Sequence, residues 1–306
     1  MRITVGVEGG PEDEMTARML RRLDLRATEM DMVHAVSPVT WWAGDVAVSA
    51  ELAQETLDAQ REAGEDALDA ARVRFEGIAD SVRGVLEYGS PADRLLRHAK
   101  DHPGDLVAVG GHPRRAFAAL LAGSVGRGLV VSAPGSLLVV KGGVRRNGPL
   151  HVVLATDHSE YAEKCVDVLR ELGPRGIGAL TILTALPEDE RPDSAVDRDD
   201  AAAAVAERLR RRGERIKAEL APLGIPTIDV RVAYGTPEEV IPATMAETGA
   251  ELLIVGARGH GWFDRLSLGS VSYRQVVTEL YPVLVLRTPQ PVEDIRSVET
   301  VEATFA

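Results

Sequence analysis

A glycine-rich segment in the second half of the chain has the residue types and spacing of a phosphate-binding loop. Gly256 and Gly259 are separated by two residues, and nine further residues lead to the pair Gly269-Ser270. Backbone N–H groups approach phosphate oxygens closely where no Cβ intrudes, and glycine provides such positions. Gly269-Ser270 precedes a segment with helical spacing, so the positive end of the helix dipole favours an anion there. Arg258 adds a charge-assisted contact.

The same glycines are also typical of plain turns and of a helix start, and on the pattern alone both interpretations stay open. The sequence has no GxxxxGK[ST], so it is not a P-loop NTPase, and it has no CxxC, no HExxH and no recognisable Ser/His/Asp arrangement. We therefore predict no catalytic residue and no dedicated metal ligand. Asp157 either helps to hold Mg²⁺ through water or caps the turn that follows it.

The loop belongs to the second copy of an internal repeat. Several segments of the first half recur 146 residues later: Gly89-Ser90-Pro91 as Gly235-Thr236-Pro237, Leu106–Gly110 as Leu252–Gly256, Gly123-Ser124 as Gly269-Ser270, and Leu138–Val140 as Leu284–Leu286. Nearer the start of each half, Val7-Glu8 corresponds to Thr156-Asp157 at an offset of 149 residues. The change in offset indicates one small difference in loop length. A repeat of this length predicts two similar domains.

Each half alternates predicted strands with amphipathic helices. Strands are predicted at 3–8, 32–36, 82–87, 105–109 and 136–140, and at 151–156, 179–184, 227–233, 251–255 and 283–287. Helices are predicted at 12–23, 50–76, 92–100 and from about Ser124, and at 160–172, 199–221, 237–247 and 271–280, with Ser90 as an N-cap and Pro91 as a first helical residue. The order favours an α/β fold of two tandem Rossmann-like domains, each an open five-stranded parallel sheet with helices on both faces.

The domains are predicted at 1–144 and 145–290, joined by the Gly-rich basic linker Lys141–Pro149 and followed by an acidic tail at 291–306. The chain of 306 residues carries a net charge of −12, which disfavours nucleic acid and anionic membranes as partners. Cys165 is the single cysteine, so an intrachain disulfide is excluded and Cys165 is expected to be a small core residue. With no signal-peptide layout and no apolar run long enough to span a bilayer, we expect a cytoplasmic protein.

The segment from Val255 to Val271 resembles the ATP-binding signature of the universal stress protein family, and the likeness extends over both halves. The resemblance implies ATP as the ligand, with Mg²⁺ alongside it. Carried over residue by residue, it implies phosphate contacts at Gly256, Gly259, Gly269 and Ser270. It also implies that Asp157 is the acidic residue near the nucleotide and that the backbone of Ala185 contacts adenine. The family also implies pairing of two domains through their last strands.

The first half departs from this signature. Glu8 stands where the family has aspartate, and the corresponding loop begins at Gly110 and ends at Gly123-Ser124. Pro113 replaces the second glycine, and proline has no N–H to donate to a phosphate. We therefore predict a degenerate first site, with a purely structural first copy as the alternative.

Together these features predict an ATP-binding protein that acts in the stress response through nucleotide-dependent conformation or assembly. A homodimer and a protein partner that the sequence does not identify are expected. The alternatives are a slow Mg²⁺-dependent ATPase, for which the residues offer no obvious general base, and an interaction protein with unoccupied sites. A flavoprotein-type domain of the same α/β class is a further alternative, disfavoured by the matched ATP spacing.

Overall fold

The structure of the chain is a computed structural model that describes residues 1–36, 50–111, 132–145, 147–188, 199–258 and 269–288. Three predicted site residues, Gly123, Ser124 and Gly259, lie outside the described residues. The same holds for the helix predicted from Ser124 and for the tail predicted at 291–306. All other predicted elements can be compared with the structure.

Strands and helices alternate along both halves. The first half contains β1 (Arg2–Gly6), α1 (Pro11–Leu23), β2 (Ala27–Val36), α2 (Ala50–Phe75), β3 (Ala79–Tyr88), α3 (Pro91–Asp101), β4 (Leu106–Gly110) and β5 (Ser136–Val140). The second half contains β6 (Leu150–Ala155), α4 (Glu160–Leu172), β7 (Ile177–Leu186), α5 (Asp199–Leu220), β8 (Thr227–Tyr234), α6 (Pro237–Thr248), β9 (Leu252–Gly256), α7 (Ser270–Thr278) and β10 (Val283–Leu286). The predicted order is confirmed for these elements, and the helix predicted from about Ser124 stays a prediction.

The second strand of each half is longer than predicted. β2 begins at Ala27, and its early residues pair with both β1 and β3. A buried charge in the middle of this strand interrupts the apolar pattern: Asp31 is 6% exposed. Its carboxylate accepts hydrogen bonds from the Arg83 guanidinium at 2.9 and 3.0 Å and contacts His98 Nε2 at 3.0 Å. These partners satisfy the charge and lower the pKa of Asp31.

The two halves form one sheet of ten strands in the order β3-β2-β1-β4-β5-β10-β9-β6-β7-β8. Within each half the strands are parallel, whereas β5 and β10 pair antiparallel, with Leu138 opposite Leu284. The two domains therefore pair through their last strands, as the resemblance implies. This pairing leaves β3 and β8 as the edges of the sheet, so the predicted homodimer, which stays a prediction, needs a surface other than the last strands.

Helices cover both faces of this sheet, and each face carries a core shared by both domains. One core includes Leu20 and Leu169 with Leu138 and Leu284, and the other lies on the opposite face. β5 and β10 are buried along their whole length because both of their faces are covered. None of the helices in the described part of the chain is both long and apolar enough to cross a membrane.

The predicted linker is held firmly against both domains. Arg22, at the end of α1, donates to the carbonyls of Gly148 and Pro149 at 3.0 and 3.2 Å. The same guanidinium forms two hydrogen bonds of 2.7 and 2.8 Å with Glu251, which precedes β9. This buried ion pair thus lies at the junction of the two domains. Hydrogen bonding to Arg22 lowers the pKa of Glu251.

Lys141, directly after β5, crosses to the other domain. It is 3% exposed, and its ammonium donates to the carbonyls of Gln275, Val276 and Glu279 at the end of α7. A cation is favourable at the C-terminal end of a helix, where carbonyl groups lack partners inside the helix. The first domain therefore caps a helix of the second.

Candidate functional site

The site residues predicted in the second domain lie at the carboxyl ends of its parallel strands. Asp157 follows β6 by two residues, Ala185 is the penultimate residue of β7, and Gly256 is the last residue of β9. β6 lies between β7 and β9, and the chain winds in opposite directions on its two sides. In open parallel sheets, ligands bind at such a switch point.

The loop that follows β6 is organised by its own side chains. Thr156 Oγ1 accepts a hydrogen bond from the N–H of His158 at 3.0 Å, and Asp157 Oδ1 accepts one from the N–H of Ser159 at 2.9 Å. Ser159 caps α4 by accepting from the N–H of Ala162 at 3.2 Å. Asp157 thus makes the turn-capping contact that the sequence offered as one alternative, and its side chain remains at the surface, where a hydrated cation can reach it.

The start of α7 is tied to the end of β9. The N–H of Gly269 donates to the carbonyl of Ala257 at 2.7 Å, and Ser272 Oγ donates to the carbonyl of Gly256 at 2.6 Å. Ala257 is held in turn by Leu286 of β10, through a hydrogen bond of 2.9 Å. The N–H groups left for an anion are therefore those of the first turn of α7, beginning at Ser270, which have no partner within the helix.

Gly110 is required for helix packing, which the sequence analysis did not predict, whereas Gly256 is less constrained. A Cβ on Gly110 would lie 2.9 Å from the carbonyl oxygen of Glu12 and 2.8 Å from Thr16 Oγ1, both in α1. A Cβ on Gly256 would have more room, at 3.3 Å from Cys165 Sγ. Glycine at residue 110 therefore allows α1 to lie close to β4, independently of any ligand.

We expect Gly110→Ala to lower the free energy of unfolding by about 1–3 kcal/mol, because the methyl group meets helix backbone that cannot rotate away. Gly256→Ala is expected to cost less than about 1 kcal/mol, since a small shift of the Cys165 side chain relieves the contact. Urea denaturation of the two variants gives the comparison. Gly143→Ala is the control, because nothing lies within 4 Å of the added Cβ, and equal losses at Gly110 and Gly256 would contradict this account.

Arg258 packs on an aromatic ring that the sequence analysis missed. Its guanidinium carbon lies 5.4 Å from the centroid of Tyr161, the second residue of α4, in cation–π geometry. The Tyr161 hydroxyl accepts from the N–H of Thr288 at 3.4 Å, and burial raises the pKa of this tyrosine. The contact holds Arg258 at the carboxyl end of β9, near the predicted phosphate positions.

His158 was also missed, although it is the residue after Asp157. It is 2% exposed and has a left-handed backbone with φ of 56°. Its Nε2 contacts Thr184 Oγ1 at 2.9 Å, and burial, with Arg212 nearby, lowers its pKa to about 4. The imidazole is therefore neutral at physiological pH. It supports the loop from the α5 side of the sheet, because Thr184 points away from Ala185.

Cys165 is a core residue, as predicted. It is 3% exposed, its Sγ lies 3.6 Å from the carbonyl oxygen of Leu286, and burial raises its pKa to about 12. A thiol with this pKa is a poor nucleophile at neutral pH. Within the described ranges, no group of three or more His, Cys, Asp or Glu residues is placed to hold a metal ion.

In the first domain, the loop that follows β1 corresponds to the loop that follows β6, but a carboxylate of α1 accepts its backbone hydrogen bonds. Asp13, in the first turn of α1, accepts hydrogen bonds from the N–H groups of Glu8 and Gly9 at 3.1 and 2.7 Å. It is 2% exposed, and burial raises its pKa. Gly9 has a φ of 79° and occupies the place of His158, also left-handed; a Cβ there would meet the Cβ of Ala67 in α2 at 2.9 Å.

A cavity of about 340 Å³ lies at the carboxyl ends of β1, β2 and β4. It is thus in the first domain, at the place equivalent to the site predicted in the second. Its lining comprises Gly6, Val7, Glu8, Glu12, Asp13, Val33, His34, Ala35, Pro91, Ala92, Leu95, Val109 and Gly110. The lining includes Glu8 and Gly110 of the predicted first site. The first domain, predicted to be degenerate, therefore retains space for a ligand.

The comparison with known proteins agrees with the internal repeat. Residues 1–141 and 150–287 each match the universal stress protein family. A universal stress protein of Mycolicibacterium smegmatis is 24% identical to the chain over 300 residues, which cover 93% of this chain and 96% of the relative. A universal stress protein of Thermus aquaticus is 30% identical over 138 residues, covering 44% of this chain and 97% of the relative.

The fold agrees as well. The crystal structure of a universal stress protein from Archaeoglobus fulgidus has a TM-score of 0.64 at 20% identity, covering 94% of this chain and 98% of that one. A putative universal stress protein from Pseudomonas aeruginosa has a TM-score of 0.57 at 14% identity, covering 99% and 98%. The chain belongs to the universal stress protein family and carries two domains of that family in tandem.

Proposed function

We propose that the second domain binds ATP at the switch point between β6 and β9. The observation that carries the proposal is the first turn of α7, which two hydrogen bonds hold beside the end of β9. Its N–H groups and the helix dipole offer an anion site at the position that the glycine spacing predicts for phosphate. Ser270 adds a hydroxyl donor there, and Arg258 lies two residues beyond β9.

The first turn of α4 carries fewer carboxylates than the first turn of α1, with Glu160 and Glu163 against Glu12, Asp13 and Glu14, and is therefore less unfavourable to an anionic ligand. In the first turn of α4, the second domain has Tyr161 and Ala162 at the positions where α1 of the first domain has Glu12 and Asp13. Asp157 is the acidic residue of the loop, and one exposed carboxylate suits Mg²⁺ held through water between it and phosphate oxygens. Ala185 lies near the end of β7 at the same edge of the sheet, and the family resemblance implies that its backbone contacts adenine.

The arrangement also suggests how binding could be communicated. α7 begins at the proposed phosphate position and ends at the carbonyls that Lys141 of the first domain caps. A ligand at the first turn of α7 acts on a short helix of nine residues whose other end lies at the domain junction. We propose that ATP favours one conformation or assembly state in this way and so serves a regulatory role in the stress response. ATP must bind the two states with different affinity.

Calorimetric titration of Mg²⁺-ATP into the full chain tests the proposal. We expect one ATP per chain. Ser270→Ala should weaken binding by about tenfold, since a hydrogen bond to a charged group is lost, whereas its first-domain counterpart Ser124→Ala should leave the affinity unchanged. Gly259→Pro, which places in the second loop the proline found at residue 113 of the first, should abolish binding.

Absence of any heat with ATP would overturn the proposal and favour an interaction protein with unoccupied sites. If Ser270→Ala and Ser124→Ala changed the affinity equally, the result would contradict the assignment of the ATP site to the second domain alone. Release of phosphate in a single-turnover assay, lost in Asp157→Ala, would replace a binding function by slow hydrolysis.

A further inference from the structure

The first-domain cavity offers a different chemical surface from the second-domain loop. Its apolar wall is formed by Val33, Ala92, Leu95 and Val109, on strands and on the first turns of α3. A surface of this kind suits a flat ring. At about 340 Å³ the cavity falls within the usual range of small-molecule sites.

Apart from His34, whose Nδ1 contacts the carbonyl of Val7 at 2.9 Å, the charged side chains of the cavity lining are acidic. Glu8, Glu12 and Asp13 contribute three carboxyl groups to its lining. Asp13 already accepts from the N–H groups of Glu8 and Gly9, which at the end of a first strand are otherwise available to a ligand. A carboxylate of the protein thus occupies the donors that a phosphate would need.

The second domain lacks two of these carboxyl groups. The residues that correspond to Glu12 and Asp13, 149 positions later, are Tyr161 and Ala162, and neither side chain is charged. The equivalence is supported by the structure, since Gly110 approaches Thr16 as Gly256 approaches Cys165, and Cys165 follows Thr16 by the same 149 positions. The two domains of the chain therefore differ in charge at matching positions.

Ionised carboxylates only accept hydrogen bonds, so a ligand of the first cavity must present donors. Hydroxyl groups of a sugar diol meet this need, as carboxylates bind ribose hydroxyls at switch points of other parallel sheets. Phosphate groups would face like charges at short range. A cation is not the evident occupant, because among the described residues these carboxylates do not form a group placed to hold a metal.

We propose that the first-domain cavity binds an uncharged, hydroxyl-bearing heterocycle of nucleoside size and excludes its phosphorylated forms. Its ring lies against the wall of Val33, Leu95 and Val109, and its hydroxyls donate to Glu8 and Glu12. The chain then holds two sites of opposite preference. This proposal does not depend on ATP binding by the second domain.

Calorimetric titration of the full chain with adenosine and with AMP, both in saturating Mg²⁺-ATP, tests it. We expect one adenosine per chain and an affinity for AMP at least about tenfold weaker, because of like-charge repulsion. Exchanging the charged pair for its second-domain equivalents, Glu12→Tyr with Asp13→Ala, removes two carboxylates and frees two N–H donors. The preference for adenosine should then fall to less than about threefold.

The reciprocal exchange, Tyr161→Glu with Ala162→Asp, is the matched control and should leave adenosine binding unchanged while it weakens ATP binding. Should the first double variant fail to fold, Glu12→Gln removes one charge at a partly exposed position and should reduce the preference in part. The proposal is overturned if AMP binds wild type as tightly as adenosine, or if the exchange leaves the ratio unchanged. Loss of ATP binding alone, with adenosine binding intact, contradicts only the function proposed for the second domain.

Discussion

Arg22→Met is expected to lower the free energy of unfolding by about 3–5 kcal/mol, the largest effect of any single substitution considered for this chain. The side chain of Arg22 is 5% exposed and that of Glu251 is 13% exposed. Removal of the arginine leaves the Glu251 carboxylate buried without its two hydrogen bonds, and the linker carbonyls of Gly148 and Pro149 lose their donor. Guanidinium denaturation of the full chain measures the loss.

A second ion pair between the same two domains provides the control. Arg175 donates to Asp24 at 2.8 Å, and both side chains are about half exposed, at 49% and 50%. Arg175→Met should therefore cost less than about 1 kcal/mol. The double variant Arg22→Met with Glu251→Met should regain part of the loss, because it also removes the buried Glu251 charge, which in the single variant is paired with the exposed Arg145 at 3.5 Å. A loss at Arg22 no larger than that at Arg175 would show that burial of the pair is unimportant.

The effect of Arg22→Met should also depend on pH. Hydrogen bonding to Arg22 holds the pKa of Glu251 below its usual value in the folded chain. A carboxylate with a lowered folded pKa contributes stability above its unfolded pKa, and that contribution is lost as the pH falls through the folded value. The difference between wild type and Arg22→Met should therefore shrink on acidification below the ordinary pKa of a glutamate.

Sequence reasoning reached the fold because the repeat and the periodicity give the same answer in both halves. The second strand of the first half was predicted too short because a polar residue with distant partners interrupts its apolar pattern. Asp31 is an example, since Arg83 lies 52 residues and His98 67 residues away along the chain. No local pattern predicts that a charge in a strand will be satisfied by two such residues.

The candidate site was predicted only as far as its backbone motif. The glycine spacing predicts the loop, of which the structure describes the two ends at Gly256 and Gly269, and the repeat predicts which residues of the two halves correspond. The signals for Asp13 and Tyr161 were present as a difference between the halves at matching positions, and a residue-by-residue comparison of α1 with α4 would have found them. His158 gave no such signal, because its left-handed backbone and its contact with Thr184 appear only once the loop is folded.

Lys141 illustrates a similar limit, because the sequence places it in a basic, Gly-rich linker, which predicts exposure. In the structure it is 3% exposed and caps α7. Burial lowers its pKa from 10.5 to about 8. The unfolded chain therefore binds a proton more tightly than the folded chain, so the stability attributable to this residue rises with pH between these two values.

We accordingly expect the unfolding free energy of wild type, relative to Lys141→Met, to increase by about 2–3 kcal/mol from about pH 7 to about pH 10. Lys217→Met is the control for loss of a lysine side chain without burial, since that side chain is 43% exposed on α5. A difference for Lys141→Met that stays constant or falls over this range would contradict the burial of the ammonium. If the difference rises as expected, the cation that caps α7 is held against its own desolvation.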